Sequence, residues 1–336
     1  MLPDTIYLNL PLFVLGLVII IRGSDLFLDN AVWMARAAGI SQVIIGATVV
    51  SLCTTLPELV SSVTAALKGT ADMALGNAVG SVICNTGLIL GAALLFVTAR
   101  IQREVFLIKG VFMVGSLLAA FFLLMPTPRN APLQLSRPEG AVLLIVLAVF
   151  MVVNYYESLH GADKPVYDGP PDELIRVTRK EWIRRLAVFA LGAALLTFGA
   201  YLLIEYGQRL ARNLGVSEAV ISLVFVALGT SLPELFTAIS AVRKKAEGIS
   251  VGNIFGANVL NLSLVIGATA SIRPLEVREP LLLWYDIPVA TGLCGCAFAA
   301  GLVRGRVGRK TGSLLLLLYA AYLISMIFRL KNGTVV

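Results

Sequence analysis

Apolar runs of about 20 residues, the span of a bilayer-crossing helix, recur along this whole chain, and that feature leaves few folds open. In hydrocarbon every backbone polar group must be satisfied internally, which favours helices. A soluble domain of 336 residues is not 58% hydrophobic and 14% charged with a mean hydropathy of +0.87. The expected class is an all-α polytopic membrane protein with ten transmembrane helices. They are expected near 6–32, 42–67, 72–98, 104–125, 139–157, 184–212, 218–242, 249–270, 281–303 and 313–330. Residues 1–157 form a first membrane repeat and 184–336 a second. Between them, 158–183 is polar, with Asp163-Lys164-Pro165 and Asp168-Gly169-Pro170-Pro171, and reads as a solvated linker too short to fold alone. Leu8 to Ile21 runs into Arg22, Gly23, Ser24 and Asp25, so no cleavable signal is expected.

Lys and Arg set the orientation. The side reached by the central linker holds 17 of them and the opposite side, with both termini, holds 9; Arg22 lies within the first span. The positive-inside rule then puts the linker in the cytoplasm and both termini outside, in an inner or plasma membrane. Five spans per half is odd, so the second half enters the membrane from the opposite side. The repeats are then inverted, an arrangement that places a transporter's substrate near the midplane.

The two halves share one unusual segment. The first copy reads Thr54-Thr55-Leu56-Pro57-Glu58-Leu59, then Gly76-Asn77-Ala78-Val79-Gly80-Ser81, then Asn85. The second reads Thr230-Ser231-Leu232-Pro233-Glu234-Leu235, then Gly252-Asn253-Ile254-Phe255-Gly256-Ala257, then Asn261. Glu58 and Glu234, Gly76 and Gly252, Asn85 and Asn261 all stand 176 apart. A carboxylate inside a span is expensive and needs a partner. Pro57 and Pro233 lack an N–H and should break their helices, near Cys53 to Leu56 in the first copy, freeing carbonyl oxygens. Ser81 and Asn85, four apart, share a helix face, which Asn77 extends. Asn253, Ala257 and Asn261 are their counterparts.

The donors are hard oxygens, which suit Ca2+, Na+ or Mg2+ over zinc or copper, with Mg2+ disfavoured because it keeps its water and demands near-octahedral geometry. The single histidine, His160, lies in a polar loop, and Cys53, Cys84, Cys294 and Cys296 read as packed thiols. The net charge of +7 points to no nucleic-acid partner. The expected partners are small cations and the lipid bilayer, with no cofactor and no required protein partner. Asp25, three residues from Arg22 and four from Asp29, reads as part of an interfacial ion pair, with a gate as the alternative.

The paired segments resemble the alpha repeats of the sodium/calcium exchangers, within the calcium/cation antiporter superfamily, in a prokaryotic-type form without a large regulatory loop. The resemblance covers both repeats and the ten-span plan. It implies that Glu58 and Glu234 bind Ca2+ at the centre with backbone oxygens of Thr54 and Thr230. It places Ser51, Thr55, Ser81, Ala227, Ser231 and Ala257 at flanking Na+ sites, and Asn85 and Asn261 toward the middle. Cys53 stands where the family usually has Gly, Val82 where Asn is usual, Ala257 where Ser is frequent, and Asn261 where some members carry Asp. The implied function is exchange of Ca2+ for Na+ by alternating access, with Ca2+/H+ or another cation/H+ exchange as the alternative. An intramembrane enzyme using the two glutamates as an acid–base pair, or a channel, are the other classes. An enzyme would also need a nucleophile or catalytic metal motif.

Overall fold

The computed structural model describes residues 4–100, 103–125, 133–160, 178–213 and 229–331. Its helices are α1 (Asp4–Ala38), α2 (Gln42–Thr54), α3 (Leu56–Leu67), α4 (Ala71–Phe96), α5 (Arg103–Leu124), α6 (Arg137–His160), α7 (Arg179–Asn213), α8 (Leu232–Arg243), α9 (Glu247–Ile272), α10 (Leu282–Arg304) and α11 (Arg309–Lys331). Eight of these are long and apolar enough to cross a membrane, or nine when α2 and α3, bent by 42°, count as one span. The span expected at 218–242 begins outside the described residues; its described part is α8.

The break between α2 and α3 falls at Thr55, within the interval the proline predicts. Leu56 restarts the helix with Pro57 in its first turn, where a missing N–H costs no intrahelical bond. The second copy repeats this. Ser231 stands at the N-cap position of α8 without a side-chain capping bond, and Pro233 lies in its first turn. Thr55 and Ser231 have matching backbones, φ −83°, ψ −6° and φ −86°, ψ 6°. Their carbonyls accept from the N–H of Leu59 at 3.1 Å and of Leu235 at 3.0 Å.

Contacts divide the chain into two compact units, and each draws on both halves of the sequence. The first comprises Met1–Ser61 and Val149–Ala257. Here α1 and α7 run antiparallel and approach through glycine. A Cβ at Gly23 would lie 2.6 Å from the Leu196 nitrogen, and one at Gly199 2.5 Å from the Ile20 nitrogen. Gly16 and Gly192 make similar approaches to Leu202 and Phe27. Gly16 and Gly192, like Gly23 and Gly199, are 176 apart. Phe27 stacks on Phe189 at 4.5 Å beside buried Leu28, Ala31, Leu196 and Ala200. In the same unit α2 meets α9. A Cβ at Gly252 would lie 2.2 Å from the Val43 carbonyl oxygen, and one at Gly256 2.4 Å from that of Ala47.

The second unit comprises Ser62–Ala148 and Asn258–Val336. Two short antiparallel ladders join its halves crosswise. β1 (Ala99–Arg100) pairs with β4 (Arg306–Val307), and β2 (Leu133–Leu135) with β3 (Leu275–Val277). The helices follow the same exchange: Gly91 packs on Gly312 and Gly140 on Gly267. The helices α4 and α9 carry wide π-helical turns at Cys84–Leu90 and Asn261–Val265, at equivalent places in the two repeats.

Asp25 lies in the first unit with partners that its own helix does not supply. Ser240 donates its hydroxyl to the Asp25 carboxylate at 2.6 Å, and Lys244 and Arg243 approach it at 3.8 Å. Lys244 also bonds Asp29 at 2.5 Å. The expected ion-pair character holds, but its cations come from the basic end of α8.

Candidate functional site

The first unit brings both glutamates together. Glu58 lies in the first turn of α3 and Glu234 in the first turn of α8. Both are 0% exposed, and their carboxylates are close enough to act on each other electrostatically. The arrangement is crosswise: the Thr230 hydroxyl lies beside Glu58, and that of Thr54 beside Glu234. Each carboxylate also turns back toward its own backbone N–H at the positive end of its helix.

Several buried oxygens beside this pair have no protein donor among the described residues. Among the described residues, neither Glu234 oxygen closes a hydrogen bond, nor do the hydroxyls of Thr55 and Ser231. All are buried, where an unmet polar group costs about 1–3 kcal/mol, and more if charged. Such a cluster is stable when something shared meets it. Ser51 is buried in α2, its hydroxyl donating to the Thr48 carbonyl at 3.1 Å. Ala257 is buried in α9 and offers no side-chain oxygen. Ala227 lies outside the described residues.

The remaining sequence-based candidates lie in the second unit. Ser81 is buried in α4. Asn85 is the second residue of one π-helical turn and Asn261 the first of the other, both fully buried, and among the described residues both ends of each carboxamide lack a partner. A wide turn sets its residues apart from the regular ladder, which is common at functional positions.

Two polar residues, Thr237 and Asn258, escaped the sequence reading, and Asn253 stood in it only as the motif counterpart of Asn77. Thr237, one turn beyond Glu234, is buried with an unpartnered hydroxyl; the i, i+3 spacing was its only signal. Asn253 accepts a hydrogen bond from Thr54. Asn258 donates to Thr86 at 2.7 Å, with Cys294 and Met113 sulfurs nearby at 3.7 and 3.5 Å. Its counterpart in the first repeat is Val82, so symmetry gave no hint.

Among the described residues no three His, Cys, Asp or Glu side chains group as metal ligands. The glutamate pair therefore has to be completed by neutral oxygens, which suits a hard cation of flexible geometry such as Ca2+. Gly248-Ile249-Ser250-Val251-Gly252 spells the G-x-S-x-G letters of a hydrolase elbow. It forms part of helix α9 with Ser250 buried, not the exposed strand-to-helix turn that the chemistry needs.

The sequence model of the sodium/calcium exchanger protein family matches residues 8–156 and 185–328, most of the chain. The chain belongs to that family. Among relatives, the inner membrane protein YrbG of Escherichia coli is 34% identical over 280 residues, covering 83% of this chain and 84% of its own. The sodium/calcium exchanger MaX1 of Methanosarcina acetivorans is 27% identical over 351 residues, covering 96% and 99%. Among solved structures, the sodium-calcium exchanger NCX_Mj superposes with a TM-score of 0.80 at 25% identity, covering 95% of this chain and 99% of that one. The family is one of exchangers, and cation antiport across a membrane is the general activity it brings.

Proposed function

We propose that this protein is a secondary active antiporter that exchanges Ca2+ for Na+ across the inner or plasma membrane by alternating access. The observation that carries the reading is the buried pair Glu58 and Glu234, set crosswise against Thr230 and Thr54. Two carboxylates facing each other in a membrane interior need a cation between them, and two negative charges offset the dehydration of a divalent one. Glu58 and Glu234 are the central Ca2+ ligands, joined by Thr54 and Thr230. Ser51, Thr55, Ser231, Ala227 and Ala257 belong to the flanking Na+ positions. For Ser81, Asn85 and Asn261 the assignment rests on motif position, supported by the unpartnered carboxamides of the two asparagines.

Alternating access needs two states related by the repeat symmetry. The crosswise ladders, the antiparallel α1–α7 pair and the glycines 176 apart support ten spans in two inverted five-helix repeats. Equivalent helices that pack antiparallel must enter the membrane from opposite sides. Lys and Arg placement supports termini outside and a cytoplasmic linker.

Exchange for H+ is the second reading, favoured by Ala257, which removes a hydroxyl from a flanking position. Ca2+ uptake into proteoliposomes, with Na+, K+ or H+ gradients imposed one at a time, separates the two. Uptake driven by an outward Na+ gradient is expected. Uptake driven only by protons would replace Na+ as the coupling ion, and no Ca2+ flux under any gradient would overturn the Ca2+ reading.

A further inference from the structure

Thr54 is the last residue before the bend, and three acceptors surround its hydroxyl. They are the Ser51 carbonyl at 3.3 Å, the Asn253 Oδ1 at 3.2 Å and the Glu234 carboxylate. A hydroxyl has one proton to give and two lone pairs to offer. Where the proton goes decides what the oxygen presents to a cation beside Glu234. If it goes to Glu234, the hydroxyl turns its positive end into the site. If it goes elsewhere, the lone pairs face the ion. The Ser51 carbonyl is the poorer recipient, since it already accepts the Thr55 N–H at 2.9 Å. Asn253 Oδ1 is the recipient that points the proton away.

We infer that Asn253 is a positioning residue of the cation site: its carboxamide oxygen takes the Thr54 hydroxyl proton and holds the Thr54 oxygen lone-pair first toward the ion. The inference rests on the proposed cation site. The scaffold around Asn253 fits the role. It is buried in α9 between Gly252 and Gly256, whose contacts with Val43 and Ala47 bring α9 backbone onto α2. That approach is what lets a short side chain reach Thr54. The first repeat uses its equivalent differently. Asn77 donates to the Ser62 hydroxyl at 2.9 Å, and Ser62 donates to the Ala74 carbonyl at 3.2 Å. The residue matching Ser62 is Ala238, which has no hydroxyl, so that bond is not open to Asn253.

The test is initial Ca2+ uptake into proteoliposomes against Ca2+ concentration. Asn253→Leu removes the acceptor and should raise the apparent KM for Ca2+ roughly three- to ten-fold, the worth of one hydrogen bond, with maximal rate within about two-fold. Thr54→Val should give a similar rise. The double variant should be no worse than Thr54→Val alone, because both act through one hydroxyl. Asn253→Asp keeps an acceptor and should keep wild-type KM or lower it. An unchanged KM in Asn253→Leu, multiplying effects in the double variant, or an Asp variant as impaired as Leu would each overturn the inference. If Asn253→Leu does not fold, as read by size-exclusion profile, Asn253→Asp and Thr54→Val still decide it. Glu58→Gln is measured alongside. Wild-type flux there would overturn the cation site itself, whereas a dead Glu58→Gln with a normal Asn253→Leu would overturn only the positioning role.

Discussion

The central residues differ in what each contributes, and substitution should show it. Gln at position 58 or 234 keeps size and one oxygen but removes the charge that offsets cation dehydration. Glu58→Gln and Glu234→Gln are each expected to abolish Ca2+ flux in proteoliposomes while eluting as folded protein. Asn261→Ala removes a neutral group and should be milder, with flux remaining and apparent KM raised. Near wild-type flux in either glutamine variant would remove the pair from the site. At this scale the sequence was informative where chemistry is duplicated: two Pro-Glu steps at one offset announce themselves in an apolar chain. It was uninformative where a role depends on which neighbour a side chain meets. Asn253 and Asn77 are identical by motif, yet one accepts a hydrogen bond from the Thr54 hydroxyl and the other donates to Ser62. No reading of spacing separates them. Thr237 escaped because a lone Thr in a span commonly bonds its own helix carbonyl, as Thr269 does to Val265 at 2.5 Å.

Between elements, close helix approach rather than apolar burial holds α2 to α9. Association within a bilayer gains little from burying apolar surface, so small residues that admit a neighbouring backbone carry the packing. Gly252→Ala would put a Cβ 2.2 Å from the Val43 carbonyl oxygen, and that oxygen belongs to backbone and cannot swing away. The helices must separate, at about 1–3 kcal/mol. Thermal unfolding in detergent should show a clearly lowered midpoint. Gly292→Ala is the control: it is exposed on α10, and a Cβ there meets nothing within 4 Å among the described residues. It should be neutral or stabilise by up to about 1 kcal/mol through helix propensity. Equal losses in both variants would argue against close approach as the cause. The proline located the break. The ladders between β1 and β4 and between β2 and β3 were not legible. Segments of two or three residues show no alternation, and their pairing joins positions far apart in sequence.

For the molecule as a whole, orientation decides which side of the membrane the termini and the linker meet. On the proposed ten-span plan the linker side carries 17 Lys and Arg against 9, with Arg179, Lys180, Arg184 and Arg185 close to the start of one span. Retaining that many cations on one face is what the translocation machinery responds to, and acidic residues contribute little. On the proposed plan of five spans per half, both termini lie on the face opposite the linker. A C-terminal alkaline phosphatase fusion in a bacterial host is therefore expected to be active, and a C-terminal green fluorescent protein fusion dark. A phosphatase inserted in the 158–183 linker should be inactive. The reverse pattern would invert the orientation while keeping the repeats inverted. If the terminus and linker reported the same side, the parity of spans in the second half would be wrong. Since inversion of the repeats depends on that parity, the same result would also remove the symmetry on which alternating access rests here.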